Sequence, residues 1–172
     1  MKEILTTYWS QTTLILLGIG YLIKNVFDLR AKKAGINHEL FQQKKLESVS
    51  LFFLSCAKTE HMWKGIAIWD ILQNKLTTKE IDKIIFPHIN ELRRSVLELN
   101  IYFDEHEHEN FSSILKNMLL INSKLHDMFF YREGDKTLTQ KVNDFLFVRD
   151  NMLERNELIF KQISANLKKA FQ

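Results

Sequence analysis

One proline, five glycines and one cysteine leave this chain of 172 residues with few corners and nothing to crosslink. Strand-rich folds need turn residues at many places, so the scarcity of Gly and Pro points away from sheets and toward long helices. Cys56 has no partner for an intramolecular disulfide. It stands in the apolar run 51–57 and reads as a small buried hydrophobe, as expected in a reducing compartment. A field of one sign is missing too. Of 24 basic and 21 acidic residues, Lys2, Lys24, Arg30, Lys32 and Lys33 precede residue 34, with only Glu3 and Asp28 against them, so the remainder carries equal numbers of each sign. A nucleic-acid binder needs a basic face that neutralises several phosphates, and no nucleic-acid partner is expected. Nor does any arginine precede a histidine by four to six residues, the spacing with which some helical RNases cleave a phosphodiester.

What is present begins with an uncharged stretch from Ile4 to Ile23, about the 20 residues a helix needs to cross a hydrocarbon core at 1.5 Å per residue. Thr6, Thr7, Ser10, Gln11, Thr12 and Thr13 dilute its first half; residues 14–17 and 21–23 are strongly apolar. Tyr8, Trp9 and Tyr21 stand near its ends, where amphipathic rings settle at interfaces. Lys24, Arg30, Lys32 and Lys33 follow the second end, and by the positive-inside rule that side is cytoplasmic and the N-terminus outside. No basic start and small-residue cleavage site of a signal peptide brackets the stretch. Thr6, Ser10, Thr13, Leu17 and Gly20 share one face at four-three spacing, a surface on which a second membrane helix could accept hydroxyl hydrogen bonds and approach closely. Gly18 and Gly20 lie within this stretch and form no phosphate loop.

The expected organisation is a transmembrane anchor with its basic flank over 1–33 and a helical bundle over 34–172. Gly35 is a candidate break and Asn37 a candidate N-cap, although a helix leaving the bilayer can also run straight through. Leu46, Val49, Phe53 and Cys56 mark an amphipathic face, and 62–72 reads as a short helix dense in apolar groups. Thr77 and Glu80 form a capping box ahead of Ile81, Ile85, Ile89, Leu92, Val96, Leu99 and Phe103. Pro87 lies inside that pattern and predicts a kink or restart at Phe86. Asp104 is an N-cap candidate with Glu107 third after it, and Phe111, Ile114, Leu115, Met118, Ile121, Leu125 and Met128 continue the periodicity to a turn at Gly134-Asp135. Thr137 and Gln140 cap a last helix carrying Val142, Leu146, Leu153, Phe160, Ile163 and Leu167 on one stripe that Arg149 and Asn156 interrupt. The fold class is all-α: an N-terminal transmembrane helix followed by an antiparallel bundle of four principal helices of about 20 to 35 residues.

Only Asp104 to Glu109 gathers potential metal ligands. Glu105 and His108 have the Glu-x-x-His spacing of helical di-iron sites, but such a site needs a second pair and two further glutamates, and the chain has no second pair. His106 and His108 are two apart and point to different helix sides, unlike a zinc-binding His-Glu-x-x-His. Acids in a first helical turn are explained by the partial positive charge of the helix N-terminus. Glu105, His106 and His108 are therefore weak metal candidates, and neither metal nor cofactor is expected. Trp63, Trp69, Phe52, Phe53 and 129–131 read as core before they read as a binding patch.

The segments 18–24, 27–30 and 41–46 carry a resemblance that covers the first quarter of the chain. It resembles a broad set of uncharacterised bacterial single-pass membrane proteins with one N-terminal span, a basic helix and a helical cytoplasmic domain. Such proteins are often accessory genes, sometimes beside mobile elements or phage-defence loci, and the resemblance implies that setting. The expected function is a membrane-tethered interaction module, an adaptor, sensor or assembly subunit that holds a protein partner or another copy of itself at the inner membrane. The alternative is a membrane-perturbing effector whose span oligomerises under control of the domain; an enzyme with scattered catalytic residues is a third.

Overall fold

The computed structural model describes the backbone of residues 2–130 and 136–170, and the side chains of 21, 23–129 and 136–169. Among these residues all regular structure is helical: α1 (Lys2–Gly65), α2 (Ile68–Leu72), α3 (Thr78–Leu99), α4 (Glu105–Phe130) and α5 (Leu138–Ala170). The chain divides into two compact units, Met1–Lys44 and Lys45–Gln172.

The first unit is one stretch of α1. Its described side chains from Tyr21 to Phe41 are all exposed. No interruption occurs at Gly35, and Asn37 caps nothing: α1 is a single helix of 64 residues. A lone glycine costs a helix only about 1 kcal/mol, too little to break one that long. The division falls at Lys44 and Lys45 rather than at residue 33. Among the described residues no helix is long and apolar enough to cross a membrane. All but Tyr21 and Ile23 of the stretch from Ile4 to Ile23, including the face of Thr6, Ser10, Thr13 and Gly20, lies outside the residues whose side chains are described.

The second unit is a helical bundle built from the last part of α1 with α2 to α5. Paired contacts show α1 running antiparallel to α3 and to α5. Ser48 meets Glu98 and Lys58 meets Glu91 between α1 and α3. Asn117 meets Asn156 between α4 and α5. Phe52 lies against Phe160, and Trp63 against Phe145, between α1 and α5. The interior is apolar: Phe52, Trp63, Ile71, Leu92, Leu99, Ile114, Met118, Ile121 and Phe145 are fully buried. Burying side chains of this size stabilises by about 1.5–3 kcal/mol each.

The starts of α3, α4 and α5 follow their local chemistry. Thr77 accepts the Glu80 N–H, and the Glu80 carboxylate accepts the Thr77 N–H at 2.8 Å, a reciprocal capping box. Thr137 and Gln140 repeat it ahead of α5. Asp104 accepts from the Glu107 N–H at 2.8 Å and opens α4. α2 ends in a Schellman turn: Lys75 N–H donates to the Asp70 carbonyl and Asn74 N–H to that of Ile71. Asn74 takes the left-handed conformation there (φ 58°), which Asn tolerates better than most residues.

Several expectations are corrected. Val49 and Cys56 are buried as expected, but Leu46 is exposed and Phe53 half-buried; the inward face of α1 runs through Ser48, Val49, Phe52, Ser55, Cys56, Thr59 and Trp63. The small hydroxyls belong inside because Ser55 and Thr59 donate back to the carbonyls four residues earlier, at 2.8 Å, and so carry no unmet polar group into the core. The segment 62–72 is no single short helix: α1 takes its first residues, Gly65 ends it, and only Ile68–Leu72 forms a separate turn, with Trp69 outside. Helix α3 passes through Pro87 without a restart at Phe86. Pro87 and Phe86 are both exposed, so the freed backbone carbonyl can turn to water while the stripe from Ile81 to Leu99 stays packed. The turn expected at Gly134-Asp135 lies outside the described residues.

Candidate functional site

The metal candidates separate on inspection. Glu105 and His106 are exposed in the first turn of α4, whereas His108 is half-buried and committed to packing. Its Nε2 lies 2.9 Å from the Val96 carbonyl and its Nδ1 3.3 Å from the Ser112 hydroxyl. A carbonyl only accepts, so Nε2 carries the proton and its hydrogen bond ties α4 to α3, while the contact of Nδ1 with Ser112 stays within α4. Among the described residues no group of three or more His, Cys, Asp or Glu side chains converges on a metal position.

Cys56 is buried on α1. Burial pushes its thiol well above the ordinary range, and the charge of Glu60 pushes it further. A nucleophile needs the thiolate, so Cys56 is inert core in the folded protein.

Arg149 and Asn156, which break the stripe of α5, meet different fates. The guanidinium of Arg149 reaches the edge of the bundle and pairs with Asp150 at 2.8 Å. Asn156 is 1% exposed; its Oδ1 accepts from Asn117 at 2.7 Å, while its Nδ2 has no protein partner. A buried amide of this kind is a register device, because sliding α5 along α4 leaves both amides without partners.

The surface offers hollows rather than a chamber. One lies among Ile71, Ile81, Ile85, Phe86 and Leu125, and its internal space of about 60 Å³ has room for roughly two waters. A wider one, beside His61, Met62, Ile66 and His88, is open to solvent. Polar groups share both linings, Thr78, Asp82 and His126 in the first and Lys58, His61 and His88 in the second. Large apolar side chains stand out: Leu97, Ile101, Phe147 and Leu158 are each more than half exposed.

On the first unit Lys24, Arg30, Lys32 and Lys33 are exposed along the helix, interleaved with Val26, Phe27, Leu29 and Ile36. Sequence reasoning weighed those cations as a membrane flank and passed over the apolar residues between them. Their signal was available in the seven-residue spacing of Val26, Leu29, Ile36 and Leu40. No family model, curated protein or solved structure matches the chain.

Proposed function

We propose that this protein is a membrane-tethered helical interaction module that holds a protein partner at the cytoplasmic face of the inner membrane. The observation that carries the reading is the contrast between the units. The second is a bundle with an apolar core, and among its described residues no group of three or more His, Cys, Asp or Glu side chains gathers as a metal site. The first is a lone helix with exposed apolar and basic side chains that follow an uncharged stretch of spanning length. Large exposed apolar groups on the bundle, Ile101 and Phe147 foremost at 70% each, give a partner somewhere to dock.

Fractionation tests the tether. The full chain is expected to sediment with membranes and to resist alkaline carbonate, and a reporter active only in the cytoplasm should work when fused after Gln172. Release by carbonate, or activity only of a periplasmic reporter, overturns the proposal.

A further inference from the structure

We infer that the first unit is one strand of a parallel, in-register coiled coil, and that its partner is a second copy of this chain. Val26, Leu29, Ile36 and Leu40 are 49%, 68%, 48% and 53% exposed on α1. They stand at alternating first and fourth positions of a seven-residue repeat, interrupted only by Lys33, and in the sequence Ile19 and Leu22 continue the repeat toward the N-terminus. A spacing of 3.5 residues keeps a stripe facing a partner helix only when both strands supercoil, and a twofold pair needs the same stripe on both. A globular surface helix drifts instead at 3.6.

The flanking positions favour a second copy in parallel orientation through one couple of opposite sign. In a parallel pair, the residue before each first-position residue faces the partner's residue five positions on. Those couples are Asn25 with Arg30, Lys32 with Asn37 and Glu39 with Lys44. None opposes like charges and the last is attractive. Lys33 alone enters the seam at a first position, where one polar residue lowers stability while favouring a dimer over larger assemblies; its long stem packs while the ammonium reaches water.

The pairing does not rest on the membrane reading, because the stripe lies on residues that follow the uncharged stretch. It also differs from pairing through Thr6, Ser10, Thr13 and Gly20. That face, carried onward at four-three spacing, passes through Phe27, Ala31, Ala34 and His38, roughly 150° around the helix from the seam. One twofold contact cannot use both.

Single-cysteine variants of the full chain, made in Cys56→Ser and oxidised with copper phenanthroline, test this. Core positions of a parallel pair bring equivalent backbones to the 4.4–6.8 Å Cα separation at which a disulfide closes. Leu29→Cys, Ile36→Cys and Leu40→Cys are expected to crosslink several-fold more than Asp28→Cys and Gly35→Cys, and Lys33→Leu should raise the yield at positions 29 and 36. All these positions are exposed, so the substitutions leave the bundle folded; unchanged helicity by circular dichroism verifies it. A maximum at Ala31→Cys, Ala34→Cys and His38→Cys overturns the inference in favour of the opposite face. Equally low yields throughout overturn it too, and leave lipid or a different protein as the cover of the stripe. Carbonate extraction is read separately on the same variants, so loss of the tether and loss of the pairing are told apart.

Discussion

Leu29 and Leu92 are the same side chain on equally regular helices, yet 68% of the first is exposed and none of the second. Leu92 sits in a stripe that α4 and the end of α1 close over, whereas Leu29 sits on a helix that no other described element of its unit covers. The difference teaches that periodicity locates an apolar face without naming its cover. In the second unit other helices of the same unit supply the cover; in the first no described element of that unit does.

The sharpest way to break that comparison is by truncation in the two units. Phe52→Ala, which removes a fully buried ring lying 5.0 Å from that of Phe111, should destabilise the bundle by about 3–5 kcal/mol in denaturant unfolding. Leu29→Ala should leave the same transition within about 0.5 kcal/mol. Comparable shifts would show that the first unit is part of the cooperative fold.

Smaller effects sharpen the picture of the core. Asn117→Ala leaves the buried Oδ1 of Asn156 without its donor and should cost about 1–3 kcal/mol. Asn156→Leu removes that acceptor together with the unpartnered Nδ2 and should be near neutral or stabilising, at the expense of a defined register. If both variants lose stability equally, the amide pair contributes more than register.

The smallest expected effects are at the caps. Thr77→Ala should cost about 1 kcal/mol. The Thr77 backbone N–H, then its hydroxyl, hold the Glu80 carboxyl below its ordinary value of 4.5. A group whose folded value is depressed stabilises above its unfolded value and loses that contribution as pH falls through the folded one. The small stability advantage of wild type over Glu80→Gln should therefore be complete above about pH 4.5 and shrink below it, read as the difference between their melting temperatures. A constant difference across that range would mean that the box acts through geometry alone.

Which parts were legible follows from how each residue type meets its surroundings. Ile81 to Leu99 could be read because every inward position but Ser95 is an aliphatic and the capping box marks the start. The inward face of α1 was legible only at Val49 and Cys56, because Ser48, Ser55 and Thr59, polar by type, satisfy themselves within their own helix or against Glu98, and leave Phe52 and Trp63 to fill the volume. Pro87 does not divide α3, because the solvent beside it can take up the carbonyl it frees. His108 had the look of a ligand; the hydrogen bond of its Nε2 to the Val96 carbonyl reveals it as a strut between α4 and α3. The seam of the first unit was visible in the letters, but its meaning depended on learning that nothing in its own unit covers it.

Cys56 supplies a clock. Because this thiol, the chain's only one, is buried and held protonated, a reagent in solution must wait until the bundle opens before it can react. Where closing is fast compared with labelling, the rate divided by that of an unfolded thiol gives the fraction of time the core spends open, without denaturant and without an added probe. The same measurement in the presence of membranes or a bound partner reports how much each tightens the bundle, so a residue with no chemistry of its own becomes the gauge of what acts on the protein.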